Sequence, residues 1–168
     1  GRPVYALEGG AFICGAAVQW LRDGLKIIRR APDIEALAGK VSDHGGVEFV
    51  PALTGLGAPH WAPEARGTLT GLTRGTEHGH IARATLDAMA LQADVLGRKL
   101  IRPKVVETTV AGACYLAGLG VGLWQGPAEL RNIWQVEREF SAQMTAGARR
   151  KRLASWNTAL QRTLLSGT

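Results

Sequence analysis

The sequence predicts an α/β fold, with helices packed on a mixed sheet, from three observations. Apolar residues recur at helical spacing in three long stretches: Ala11 to Arg29, Glu77 to Leu96 and Ala146 to Leu165. Between them lie segments of strand length: the apolar run Val47 to Leu53 and the strand candidates Thr68 to Leu72 and Val136 to Phe140. No internal repeat or low-complexity linker interrupts this alternation, which suits helices burying one face against a sheet. With 168 residues, 46% of them hydrophobic, the chain can fill one ordinary core, so a single domain over residues 1–168 is expected.

In the first stretch Phe12, Ala16, Trp20 and Ile27 recur at helical intervals, and Arg29-Arg30 suits the negative end of the helix dipole. Asp33 is placed to cap a short helix through Val41, its carboxylate accepting the free amides of the first turn. Gly45-Gly46 then turns the chain into the strand Val47 to Leu53. The glycines and prolines of Thr54-Gly-Leu-Gly-Ala-Pro-His-Trp-Ala-Pro63 mark an ordered loop. Strand Thr68 to Leu72 and the helix from about Glu77 to Leu96 follow. Farther on, Lys104 to Val106 is a strand candidate and Val110 to Leu119 a buried helix of small residues. Val136 to Phe140 is a late strand, and the terminal helix spans about 146–165.

Twenty Lys and Arg against fourteen Asp and Glu give a net charge of +6, which admits acidic partners. Much of that excess sits in Arg149-Arg-Lys-Arg152 beside an apolar-periodic segment, so it reads as a solvated helix face rather than a nucleic-acid patch. Cys14 and Cys114 stand far apart among Ala, Gly and aliphatic residues, as small core residues do. No disulfide is expected, and a reduced, cytoplasmic setting fits. No apolar run reaches the roughly 18 to 20 residues of a membrane span. The opening Gly1-Arg-Pro-Val has neither an initiator Met nor a signal peptide's apolar region and reads as the continuation of something upstream.

Several signatures of chemistry are missing. There is no Gly-x-x-x-x-Gly-Lys-Ser/Thr phosphate loop and no serine in a Gly-x-Ser-x-Gly turn. Gly118-Leu-Gly120-Val-Gly122 has the wrong spacing for a dinucleotide fingerprint and reads as a helix end with its turn. His78 and His80 have no carboxylate or cysteine at a spacing that would complete a metal site, so they read as exposed loop histidines. No metal ligand and no catalytic residue is assigned.

What remains is Gly67-x-Leu69-x-Gly71-Leu72, seven residues, then His80-Ile81-x-x-Ala84-Thr85-Leu86-Asp87. This combination resembles the second signature of the FGGY family of sugar kinases. Tyr5-Ala-Leu-Glu-Gly9, Gly15-Ala-Ala-Val-Gln19-Trp-Leu-Arg-Asp23, Pro51-Ala-Leu-Thr-Gly-Leu-Gly-Ala-Pro59 and Ala65-Arg-Gly67 are similar to its glycerol-kinase branch more than to its xylulose or gluconate kinases. The similarity resumes through Thr108 to Trp124 and continues to Trp156, so it covers nearly the whole chain.

The resemblance implies a partial actin-like, ribonuclease-H-like ATPase domain, the nucleotide-holding half of a kinase that uses ATP with Mg²⁺ to convert glycerol to glycerol 3-phosphate. In that fold the signature is a strand, loop and helix of the framework, its glycines allowing close backbone approach and Ala84 and Leu86 packing the helix on the sheet. The resemblance carries two nucleotide contacts onto this chain, Gly15 and Gln19. One helical turn separates them, so they share a face; glycine removes the Cβ that would block approach, and an amide can bond polar groups of a nucleotide.

Two departures matter. The family's N-terminal half, with its phosphate hairpin, most glycerol contacts and catalytic aspartate, is absent. Near Gln92-Ala93 the family inserts the rest of a helix, a core strand and the start of another helix, and with them its adenine-side glycine and asparagine. One core strand is therefore expected to be missing, while Leu86, Met89, Ala90 and Leu96 still allow one continuous helix, ended by Gly97. The expected partners are nucleotide and glycerol in intact relatives, with self-association left open and nucleic acid and membranes not expected. A non-catalytic binding or oligomerisation module, or a piece of another polyol kinase of the family, is the alternative.

Overall fold

The computed structural model describes residues 13–94, 100–140 and 144–165. They fall into two compact units, one built from the chain up to Gly97 and from Thr145 onward, the other from Arg98–Met144. In chain order the elements are α1 (Cys14–Asp23), α2 (Asp33–Ala38), β1 (Glu48–Val50), β2 (Thr68–Thr70), α3 (His78–Asp94), β3 (Leu100–Pro103), α4 (Thr108–Gly120), α5 (Pro127–Ile133), β4 (Val136–Phe140) and α6 (Ala146–Leu165).

In the first unit β1 and β2 pair antiparallel, Phe49 opposite Leu69. Helix α1 is shorter than its apolar pattern suggests. The Gly24 and Leu25 amides both bond to the Trp20 carbonyl, Lys26 takes a left-handed φ of 57°, and the Ile27 amide reaches back to Leu21. This reversal drops Ile28 into the core beside Leu21, Ile34, Ala38 and Ala82, so the apolar period of residues 25–28 serves a turn instead of a helix. Asp33 opens α2 but does not cap it. Its carboxylate accepts from the Arg30 amide and guanidinium, both at 2.9 Å, because Pro32 occupies the cap position in helical conformation.

Strand β1 keeps three residues of the expected seven, all buried. Ala52 donates its amide to Val50 only two residues back, which turns the chain out of the ladder. The ordered loop then closes on itself, Leu56 and Ala62 exchanging both backbone bonds at 2.9 and 3.0 Å. It returns the chain antiparallel, whereas a parallel neighbour needs a long crossover. Where a mixed sheet is expected, the described residues therefore hold two separate two-stranded antiparallel sheets.

Helix α3 runs unbroken across Gln92-Ala93 to Asp94; the expected stop at Gly97 lies outside the described residues. Ala84 packs with Val47, Phe49 and Ala17, against the sheet as expected. Leu86 does not: it joins the cluster of α1 and α2 residues on the other flank of the helix. The signature glycine Gly71, at φ 78°, lies so close to β1 that a Cβ would fall 2.0 Å from the Gly46 carbonyl oxygen. Helix α6 matches its expected span and puts Trp156, Ala159 and Leu160 onto Val50, Ala52, Ala65 and Leu91. Its basic run is only partly a solvated face: Arg149, Arg150 and Lys151 are exposed, but Arg152 turns inward to Glu48 and Asp87.

The second unit pairs β3 with β4 antiparallel, tied by Arg102 to Glu137 and by Lys104 to Gln135 at 2.9 Å. The strand falls at Leu100–Pro103, before the expected Lys104 to Val106. Val105 and Val106 are exposed, and the Thr108 amide already bonds to Val106 on the way into α4. Helix α4 ends as its glycines predict, Leu123 bonding to the Gly118 carbonyl and Gly122 to that of Leu119, with Gly122 at φ 76°. Trp124 folds over Gly118 and meets Tyr115 edge-on at 5.9 Å. The helix is not buried as expected, however: among its residues only Gly118 is buried, and Val110 and Leu116 are exposed. Cys114 is exposed and Cys14 half-buried, so neither is the core residue its neighbours suggest; both are free thiols.

Candidate functional site

Helix α1 carries both residues singled out for nucleotide contact. Its rotation is set by Ala17 and Leu21, each fully buried against the core. At 100° per residue that turns Gly15 and Gln19 to the opposite side, and both are exposed. Among the described residues a Cβ built on Gly15 would meet nothing within 4 Å, so the glycine leaves open space there.

Arg22 continues the same stripe three residues beyond Gln19, a feature the sequence reading passes over. It donates to Asp23 through Nε and Nη2 at 2.7 and 2.8 Å. That bond holds the Asp23 carboxyl below its ordinary range and raises the guanidinium of Arg22. The stripe thus offers a flat opening, an amide and a locally neutralised cation. The signal that would have found Arg22 is the seven-residue interval from Gly15, which returns to the same helix face.

A second feature lies at the opening of α3. An open recess of about 430 Å³ is lined by Leu37, Lys40, Thr76, Glu77, His78 and Gly79, none of them on α1. His78 and His80 part here. His78 is exposed on the recess, while His80 is half-buried, its Nδ1 accepting the Glu77 amide at 3.0 Å, so it closes the first turn of α3 and is no free loop residue. Among the described residues no three His, Cys, Asp or Glu side chains are grouped to hold a metal ion, and no helix is long and apolar enough to cross a membrane.

Residues 1–93 match the C-terminal domain of the FGGY family of carbohydrate kinases, and the chain belongs to that family. The match ends at Ala93, beside the position where the sequence reading places a deletion. Within the family the similarity is to glycerol kinases: 50% identity over 193 aligned positions with that of Bdellovibrio bacteriovorus, covering 94% of this chain and 39% of that protein. The glycerol kinase of Myxococcus xanthus is 47% identical, with 96% and 40% covered. The chain therefore spans about two fifths of the length of these relatives. Both alignments are longer than the 168 residues available, so the relatives carry intervening residues that this chain lacks.

Among solved structures, Plasmodium falciparum glycerol kinase with ADP superposes with a TM-score of 0.77 at 28% identity, over 90% of this chain and 37% of that one. Xylulose kinase from Lactobacillus acidophilus superposes with a TM-score of 0.66 at 20% identity, a likeness of fold alone. The fold is thus a partial form of the actin-like, ribonuclease-H-like architecture of the sugar kinases.

Proposed function

We propose that the chain is the nucleotide-side part of an ATP-dependent glycerol kinase, a single domain by descent over residues 1–168, and that Gly15 and Gln19 form its remaining nucleotide contact. The observation that supports this is the open stripe of α1: among the described residues Gly15 has nothing above its missing Cβ, and Gln19, one turn on, is exposed. A nucleotide fits such a stripe because its approach needs a surface without a branched side chain and a donor-acceptor group beside it. Gly15 would admit the ligand, Gln19 would orient it through one amide hydrogen bond, and Arg22 would lend a donor at the far end of the stripe.

ATP, when bound, supplies the phosphoryl group, and Mg²⁺ would enter with it; no described side chain is assigned to the metal. The acceptor glycerol belongs to the same proposal, drawn from the relatives' activity; the cytoplasmic setting and self-association are carried into it from the sequence alone. The 168-residue polypeptide by itself is expected not to turn over, because proton removal from the acceptor requires a positioned base, and no residue here is assigned that role. A coupled assay with ATP, Mg²⁺ and glycerol checks this. Turnover that persists on repurification and disappears with Gly15→Val would overturn it.

ADP binding tests the stripe directly. Titration by calorimetry is expected to give an affinity near the millimolar range, about 4 kcal/mol, since one helix face supplies the contact. Gly15→Val should abolish binding without changing the fold, because its branched carbons project into open space. Gln19→Ala should weaken binding roughly fivefold, the worth of one hydrogen bond of about 1 kcal/mol. Binding that is indifferent to both substitutions would remove α1 as the site. The missing intervening residues favour a second reading, a non-catalytic module derived from the kinase, which a folded chain with no ADP binding would select.

A further inference from the structure

Helix α6 returns to the first compact unit after residues 98–144 and lies across β1, β2 and α3. Its apolar half covers Val50, Ala52, Ala65 and Leu91 through Trp156 and Leu160. Nearer its start stands Arg152, only 12% exposed, with Nη1 on Glu48 Oε1 and Nη2 at 3.2 Å from Asp87 Oδ2. Ser155 donates to the same Glu48 oxygen at 2.7 Å, and Arg83 approaches Asp87 at 3.4 Å from within α3.

Among the described residues the other oxygen of Glu48 is buried without a hydrogen-bond partner, and so are Trp156 Nε1 and Gln92 Nε2. Glu48 and Trp156 lie on the two sides of the seam under α6, and Gln92 follows Leu91, whose side chain Trp156 covers. Docking α6 therefore buries polar atoms of this seam that gain no hydrogen bond among the described residues, a cost that undocking removes. What offsets it is apolar contact together with the hydrogen bonds of Arg152 and Ser155. Two of the three atoms, Glu48 Oε2 on β1 and Trp156 Nε1 on α6, belong to the two elements joined at the seam that this helix closes.

We propose that α6 is a detachable strap, latched by Arg152 between Glu48 and Asp87, that opens as a unit while α1, α2, α3 and the β1–β2 pair stay folded. Opening returns water to Glu48 and Trp156 and uncovers the Val50, Ala52 and Leu91 surface beneath. Such local opening below the global unfolding free energy is read by amide exchange. This inference is independent of the nucleotide reading.

Native-state hydrogen exchange of the full chain, followed by mass spectrometry, tests it. In Arg152→Met the amides of α6 should exchange about tenfold faster or more while those of α2 and α3 keep their wild-type rates. Lys151→Met, an exposed neighbour on the same helix, should change neither. Unchanged α6 rates in Arg152→Met, or equal acceleration in all four helices, would overturn the proposal. Should Arg152→Met fail to fold, the wild-type chain in sub-denaturing urea decides. Exchange of α6 with a shallower urea slope than α3 supports the strap, and a shared slope and shared free energy exclude it.

Discussion

Gly71→Ala is expected to destabilise the chain by about 2–4 kcal/mol, through a combination of backbone strain and a backbone clash. Gly71 sits at φ 78°, where an L side chain is strained, and its Cβ would lie 2.0 Å from the Gly46 carbonyl oxygen and 2.9 Å from the Gly46 carbonyl carbon. Backbone on both sides leaves nothing flexible to move. Gly46 separates the two causes, because it shares the φ of 78° but has nothing within 4 Å of its Cβ. Gly46→Ala should therefore show the strain alone, about 1 kcal/mol. At Gly67 the near atom, 2.8 Å away, is the end of the Leu53 side chain, which can rotate aside. Urea unfolding midpoints of the three variants rank these costs. A Gly71→Ala chain no weaker than Gly46→Ala would mean that β2 does not approach the Gly45-Gly46 turn so closely.

Phe49→Ala should cost about 3–5 kcal/mol, the range for emptying an aromatic site in a packed core. The ring is 1% exposed, shares its cluster with Ala17, Val47 and Ala84, and stacks on Trp20 with centroids 5.5 Å apart and planes 24° from parallel. It joins three elements at once: α1 through Ala17 and Trp20, α3 through Ala84, and its own strand. Against a total of about 5–15 kcal/mol for an ordinary domain, the loss would leave little margin. Phe49→Leu retains most of the volume and should cost about half as much or less. Near-ultraviolet circular dichroism from the Trp20 indole and urea melts report the two variants. A small loss in Phe49→Ala would indicate that the α1–β1–α3 junction closes over the cavity or is not packed as described.

Much of this molecule was legible from spacing. The periods of α3 and α6 are long and uninterrupted, and their apolar residues are packed against the core, although Leu86 takes the α1–α2 flank instead of the sheet. The end of α4 was legible because the glycines there, of which Gly122 does so, can take a positive φ cheaply. Gly15 and Gln19 were reached through family resemblance, and their common face followed from a four-residue interval. The recess beside α3 was not legible, because its lining comes from residues 37–40 and 76–79, which only folding brings together.

The sequence by itself located α1, α2, α3, α4 and α6, though not α5 at Pro127–Ile133, and determined where glycines bend the chain and to which family of kinases it belongs. Local chemistry and residue spacing suffice for those. Only the tertiary structure decided that Arg152, one cation in a run of four, is buried between Glu48 and Asp87, 104 and 65 residues away. It also decided that His80 caps its own helix and that the apolar turns of α4 stay exposed. For Arg152 and α4 the physical reason is shared, whereas the His80 contact is local, to Glu77 three residues back. The environment of a side chain is set by what chain closure places beside it, and charge pairing and burial are properties of that neighbourhood rather than of the residue's own period.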